Sequence, residues 1–196
     1  SSGIGKAVAY RLAEAGATVL TLARDADELA TTRREFEEAG YALHTFAIDL
    51  TQAEQTEALI AQSIEEFGGV DLLINNAGRS IRRGIENSFD RFHDFERTMD
   101  LNYFGALRLT MGLLPKMLEK RHGHVINISS IGVLTNAPRF SAYVASKAAL
   151  DAWTRCAASE FADRNIDFTT VNMPLVKTPM ISPTKLYEQV PTLTPE

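Results

Sequence analysis

Val70-Asp71-Leu72-Leu73-Ile74-Asn75-Asn76-Ala77-Gly78 decides the architecture of this chain. Val70 to Asn75 is a short apolar run that reads as a strand. Asn75 to Gly78 reads as the turn that leaves it. The amides hold that turn, and the small residues let a ligand come close to the backbone. On the amino side, Thr51 opens a helical pattern that runs to about Phe67 and is closed by Gly68-Gly69. On the carboxyl side, after an irregular stretch, roughly Phe92 to Arg121 is helical, with Pro115 as a candidate kink.

The same alternation extends to both ends. Lys6 to Ala15 is helix-like, Ala17 to Ala23 strand-like, and Asp25 can cap a helix that runs to Ala39 and ends at Gly40. Tyr41 to Ile48 reads as a strand. Further on, His124 to Ser129 is a strand, Ala142 to Asp163 a helix and Ile166 to Asn172 a strand. From Met173 the chain carries five prolines and reads as loop with some helix. Strands alternating with helices imply a mainly parallel, three-layer α/β sheet with right-handed crossovers. Ligands in such sheets bind at the carboxyl ends of the strands, and the polar motifs fall there. No linker interrupts the pattern, so residues 1–196 are expected to form one domain.

With 196 residues and 45% hydrophobic content, the chain can bury a sizeable core. A net charge of −5 argues against a general nucleic-acid binder. The single Cys156 excludes an internal disulfide and fits a reducing, cytoplasmic setting. It lies in an amphipathic helix pattern, where a buried, inert thiol is expected. No apolar run reaches membrane-spanning length. The chain opens on Ser1-Ser2-Gly3-Ile4-Gly5 without an initiator Met, so a preceding segment with the sheet's first strand is expected to be absent from this sequence. A C-terminal strand and substrate-covering helices are likewise expected beyond Glu196. Without the first strand, buried backbone groups on its neighbours would lose partners, so this piece alone is expected to be unstable.

Several segments carry chemistry. In Tyr143-Val144-Ala145-Ser146-Lys147, residues four apart share a helix face, so Lys147 can sit beneath the Tyr143 phenol. A neighbouring ammonium favours the phenolate, which suits Tyr143 to exchange a proton with a carbonyl or alcohol oxygen. Ser130 stands thirteen residues upstream. Ser2-Gly3-Ile4-Gly5 precedes a helix, where glycines and the helix amino end suit a pyrophosphate; an ordinary cap is the alternative. Arg24 follows a strand with no acid before it, and so suits a ribose 2′-phosphate; a surface arginine is the alternative. Asp49-Leu50 follows the next strand, suited to an adenine amino group or, with Thr51, to a helix cap.

These residues identify the chain as resembling the short-chain dehydrogenase/reductase family. Ser2-Gly3-Ile4-Gly5, Asn75-Asn76-Ala77-Gly78, Asn102, Ser130, Tyr143 and Lys147 follow the family's order and spacing over essentially the whole chain. The resemblance implies a Rossmann-type doubly wound sheet and an NAD(P)-dependent oxidoreductase. It implies that Tyr143 is the acid/base, that Ser130 is the donor to the substrate oxygen, and that Ser129 is structural. Lys147 would tune Tyr143 and bond the nicotinamide ribose, and Asn102 would hold a water linking Lys147 to solvent. Asn76, Ala77 and Gly78 would line the cofactor, as would Ser2, Gly3, Ile4, Gly5, Arg24, Asp49 and Leu50. Pro174, Val176 and Thr178 would cover the nicotinamide, and Arg24 favours NADP(H) over NAD(H). Members of the family commonly dimerise or tetramerise through the helices placed here at Phe95 to Leu114 and Tyr143 to Phe161. No metal is implied.

Pro174-Leu175 departs from the family's usual Pro-Gly. Together with Arg79 to Arg83, Phe89 to Met99, Asn102 to Ala106, Ser129 to Leu134, Met173 to Met180 and Pro183-Thr184-Lys185, it is similar to bacterial fatty acyl-CoA reductases of the same family. That likeness implies reduction of fatty acyl-CoA to fatty aldehyde. Arg79, Arg82, Arg83 and Lys177 would meet coenzyme A phosphates, with a solvated loop or structural ion pairs as the alternative. His93 and Asp94 are expected to pack rather than to react. The competing expectations are a reductase of a 3-oxoacyl or steroid-like substrate, and a non-catalytic cofactor-binding module.

Overall fold

In a computed structural model, the described residues are 1–181 and 191–195. The element order is α1 (Gly3–Glu14), β1 (Val19–Ala23), α2 (Ala26–Glu38), β2 (Leu43–Ala47), α3 (Ala53–Phe67) and β3 (Leu72–Asn75). There follow α4 (His93–Met99), α5 (Ala106–Lys120), β4 (Gly123–Ser130), α6 (Gly132–Thr135), α7 (Ser141–Glu160) and β5 (Ile166–Met173). The strand-helix alternation read from the sequence is therefore present. The described strands form two parallel sheets, β1–β2 and β3–β4–β5. The chain divides into two compact units, one of Leu50–Met173 and one of Ser1–Asp49 with the described residues from Pro174 onward.

In the first-mentioned unit, β4 pairs in parallel register with β3 and with β5, from Gly123↔Ile166 to Ser130↔Met173. Its inward side chains alternate with half-exposed ones, and Val125 is fully buried. Helices α5 and α7 cover the buried face, with Leu109, Leu113, Met117 and Leu150 all buried. A polar chain crosses this core. Asn75 Nδ2 donates to Thr110 Oγ1 at 3.0 Å and to Asn127 Oδ1 at 2.8 Å, and Asn127 Nδ2 donates to Thr154 Oγ1 at 2.8 Å. Each partner is itself buried, so the chain ties α5, β3, β4 and α7 at low dielectric, where satisfied hydrogen bonds are strongest.

The other unit is built on Phe36, which is fully buried among Ala9, Ala13, Val19 and Leu43. Tyr10 packs edge-on against both Phe36 and Tyr41, with ring centroids 5.4 Å apart in each pair. Asp25 caps α2 as expected: Oδ1 accepts from the Asp27 and Glu28 N–H groups at 3.0 and 2.9 Å. A cap for α3 involving Thr51 was one reading, but Gln52 occupies the N-cap position and its side chain makes no capping bond. Gly68, at φ +72°, closes α3 in the left-handed conformation.

The helical region expected over Phe92 to Arg121 is present and includes a feature the sequence did not show: α4 passes into a π-helical turn at Asp100–Gly105 and then into α5, with Pro115 inside it. One expectation needs correction. Cys156 is exposed rather than buried. The buried positions of α7 are Ala142, Ser146, Lys147, Leu150, Thr154 and Ala157, and Cys156 falls outside that stripe.

Candidate functional site

The first two turns of α7 carry Tyr143 and Lys147 on one face, and Lys147 is 4% exposed. Its ammonium donates to the Ile128 carbonyl of β4 at 2.7 Å. Burial pushes its pKa down to about 8 from an ordinary 10.5. At neutral pH it remains mostly protonated, a buried cation whose bond to Ile128 uses one of three N–H donors. Tyr143 is half-buried. Its carbonyl accepts a 2.7 Å bond from Ser146 Oγ, which fixes this turn of the helix.

Ser146 was not singled out in the sequence, although its spacing from Tyr143 places it on the buried stripe. It is fully buried and also accepts from Asn102 Nδ2 at 2.9 Å. Asn102 sits in the π-helical turn, also fully buried, and its amide is heavily used. Nδ2 donates to the Arg79 carbonyl at 2.8 Å, and Oδ1 accepts from the Arg79 N–H at 2.7 Å. Both amide hydrogens are taken, so this side chain clamps the loop after Gly78 to α7. Oδ1 keeps a second lone pair, which can accept from a water. The π turn is what brings the amide into reach, since a wider turn re-aims side chains locally.

Gly78 lies in the same place. A Cβ there would stand 3.4 Å from Asn102 Oδ1 and 3.6 Å from Lys147 Nζ, so the Gly78 backbone borders both side chains at ordinary contact distance. Ser130 ends β4, half-buried, and its Oγ accepts from the Gly132 N–H at 3.1 Å. That bond uses a lone pair and leaves the hydroxyl hydrogen to donate elsewhere. Ser129 differs: it is 5% exposed and its Oγ has no hydrogen-bond partner among the described residues. Neither does Oδ1 of Asn172, its register partner on β5.

Asp94 forms a hub that the sequence signalled only as a packing residue. It is 2% exposed and meets Arg83 at 3.1 Å, Arg91 at 3.2 Å, His93 at 3.4 Å and Arg97 at 2.5 Å. Burial alone would raise its pKa. The Arg91 hydrogen bond and the charges of Arg97, Arg91 and His93 outweigh that and hold it below the ordinary carboxylate range. Arg83 is thereby spent on a structural ion pair.

Leu50 is buried, and its carbonyl accepts from Arg108 Nη1 at 3.2 Å. Asn76 and Ala77 are half-buried on the loop that leaves β3. In the other unit, Ser2 is the N-cap of α1 and makes no side-chain capping bond; no acid lies in the helix's first turn. Ile4 and Gly5 lie in that turn. Gly3 has φ +54°, and a Cβ on it would meet Thr178 Cγ2 at 2.9 Å. Arg24 follows β1 and is exposed, with no carboxylate partner among the described residues, while Asp25 beside it is committed to its cap. Asp49 follows β2. Pro174 is exposed, and Val176 is buried where it bridges to Leu193. Pro183-Thr184-Lys185 lie outside the described residues.

A buried ammonium bordered by the Gly78 backbone can donate to a sugar hydroxyl. The chain matches the short chain dehydrogenase family over residues 1–188. It belongs to that family. It is 56% identical to a fatty acyl-CoA reductase of Acinetobacter baylyi, over all of this chain and 66% of the relative's length. A Mycobacterium tuberculosis fatty acyl-CoA reductase is 46% identical over 99% of the chain and 66% of its own length. Among solved structures, a Burkholderia cenocepacia gluconate 5-dehydrogenase in complex with NADP and tartrate superposes with a TM-score of 0.84 at 28% identity, covering 92% of this chain and 70% of that one. A xylitol dehydrogenase bound to NAD+ superposes with a TM-score of 0.82 at 27% identity, covering 88% and 66%. The fold is thus the family's α/β Rossmann type. The chain spans 58 to 66% of the length of the first curated relatives that it matches. No described helix is long and apolar enough to cross a membrane.

Proposed function

We propose that this chain is the cofactor-binding and catalytic core of an NADPH-dependent reductase that converts fatty acyl-CoA to fatty aldehyde. The observation that carries the substrate reading is 56% identity, over the whole chain, to a protein named for that activity. We take residues 1–196 as one nucleotide-binding domain of a cytoplasmic homo-oligomer. Exposed Phe104 and Met111, on the helical region expected to pair subunits, support association.

A bound NADPH would supply the hydride for the thioester carbon. Ser130 and Tyr143 donate to the thioester oxygen, and Tyr143 transfers its proton as the carbon–oxygen double bond opens, giving a hemithioacetal. The carbon–sulfur bond of that adduct then breaks, the hydroxyl proton leaves for the sulfur, and the aldehyde and coenzyme A thiol separate. Lys147 holds the cofactor ribose and favours the Tyr143 phenolate. Asn102 positions the Gly78–Arg79 backbone and holds a water linking Lys147 to solvent. Asn76, Ala77, Gly78 and Leu50, with Ser2, Gly3, Ile4, Gly5, Asp49, Pro174, Val176 and Thr178, hold the remaining cofactor. The preference for NADP(H) rests on Arg24, which has no carboxylate partner among the described residues while its acidic neighbour caps α2.

The test is NADPH oxidation by the full-length protein with palmitoyl-CoA, followed by detection of hexadecanal. Tyr143→Phe is expected to lower turnover by roughly 10²–10⁴-fold, the range of a lost proton donor. Turnover of ketones without aldehyde from palmitoyl-CoA would favour the other family substrates. Unchanged turnover in Tyr143→Phe would remove the mechanism.

A further inference from the structure

Beside the first turn of α7 lies an open cleft of about 1220 Å³ between the loop after Gly78 and the loop after α6. Its walls include Arg82, Arg83, Arg91 and Arg139, and Ser141 and Val144 of α7 close it on either side of Tyr143 in sequence. For a chain of net charge −5 this is a local inversion of sign. Glu86 and Asp90 also line it. With Asp94 and Arg97 behind the wall, five guanidiniums stand against three carboxylates.

The arginines are not equivalent. Arg83 and Arg91 are held by Asp94. Arg82 and Arg139 are exposed and have no carboxylate partner among the described residues. Arg139 also has a left-handed backbone, φ +69°, a conformation that costs a side chain of this size roughly 1–2 kcal/mol. It is pinned there: its carbonyl accepts a 2.7 Å bond from the Arg83 N–H, which joins the two loops that form the cleft. The Asp94 hub therefore fixes Arg83, and Arg83 fixes the backbone of Arg139. Two unspent guanidiniums are presented from a braced frame beside the reacting tyrosine.

We propose that this cleft receives the coenzyme A portion of the substrate, with Arg82 and Arg139 contacting its phosphates. The proposal rests on the acyl-CoA reading above and changes its residues. Arg83 supports the frame, and Arg139 joins Arg82 as a phosphate contact. Guanidinium suits this task because its planar fork can meet two phosphate oxygens at once. Val144, Ala137 and Pro138 give an apolar flank along which the pantetheine arm can run toward Ser130 and Tyr143.

The test compares two thioesters in the full-length protein: palmitoyl-CoA, and S-palmitoyl-N-acetylcysteamine, which has the same reacting bond and no phosphates. The variants are Arg82→Gln and Arg139→Asn, the latter because asparagine tolerates a positive φ. Each should raise KM for palmitoyl-CoA by roughly tenfold or more, the equivalent of one lost charge-assisted contact. Each should also flatten the rise of that KM with salt, and change KM for the phosphate-free thioester less than about twofold. If both variants keep the wild-type KM for palmitoyl-CoA, the phosphate subsite is wrong and the acyl-CoA reading stands. An equal rise for both thioesters would also overturn the subsite, since a distorted loop gives that pattern. A wild-type protein that reduces neither thioester removes both readings.

Discussion

Lys147→Met tests the link between burial and charge at the centre of the site. The gap between an ordinary pKa of 10.5 and one of about 8 corresponds to about 3 kcal/mol against burying the ammonium. The Ile128 carbonyl returns part of this, roughly 1.5–3 kcal/mol for a hydrogen bond from a charged donor. Methionine fills a similar volume without the charge. At pH 7 the cofactor-free variant should be between equally stable and about 2 kcal/mol more stable than wild type, while its turnover collapses.

The sign of the pH dependence follows from linkage. Between about pH 8 and 10.5 the unfolded chain keeps a proton that the folded chain has released, so wild-type stability rises with pH across that window. Below pH 8 both states hold the proton and the contribution is flat. Subtracting the Lys147→Met curve cancels every other titrating group. Urea unfolding of the full-length, cofactor-free proteins at intervals from pH 7 to 10.5 should show wild type gaining up to about 3 kcal/mol on the variant. A difference that stays constant within about 0.5 kcal/mol from pH 8 upward would refute the reasoning, because the folded-state pKa would then be ordinary.

Other substitutions separate roles that neighbouring residues share. Ser130→Ala should cut turnover by roughly 10²-fold or more with little loss of stability, if its hydroxyl donates to the substrate oxygen as proposed. Ser129→Ala, which removes a buried hydroxyl lacking a partner, should change both stability and turnover little; a large loss of activity there would reverse the assignment of the two serines. Ser146→Ala should cost roughly 1–3 kcal/mol in chemical denaturation, because it strands a buried hydrogen of Asn102 and frees the Tyr143 carbonyl. Asp94→Asn should lower Tm by roughly 5 °C or more, measured by calorimetry. Asp94 has a depressed pKa, so its stabilisation is present above the ordinary carboxylate range and lost as pH falls below it. The variant should therefore lose less stability than wild type on acidification from pH 5 to 3, and equal losses would show that Asp94 is not the acid-sensitive group.

The legible part of this protein was the part governed by local rules. Strand and helix order followed from apolar runs punctuated by glycine, and Asp25 was readable as a cap because the cap uses only the next three residues. Tyr143 and Lys147 were readable as a facing pair for the same reason. Three features were not legible. The π turn at Asp100–Gly105 has no distinctive composition, and it exists because Asn102 is drawn to Arg79 and Ser146, which lie far away in sequence. Cys156 was misplaced because the helix pattern around it has small residues on both faces, and only packing decides which face is buried. Arg139 carried no signal at all, since its backbone conformation depends on a bond from Arg83.

That division explains why a costly lysine is tolerated. A buried ammonium in a yielding core would draw in water or release its proton, and its geometry beside Tyr143 would be lost. Here the strand that offers it Ile128 also carries Asn127, which is bonded to Asn75 on one side and to Thr154 of α7 on the other. The same helix that bears Lys147 is therefore tied to the same strand two turns further along. Ser146 and Asn102 tie its first turns to the loop after Gly78. The bonds of Asn127 to Asn75 and Thr154, and of Asn102 to Ser146, join groups already removed from water, so breaking one leaves an orphan worth more than the bond itself. The network raises the cost of local relaxation and so holds the lysine's buried charge in place on the first turns of α7, where the proposed mechanism uses it.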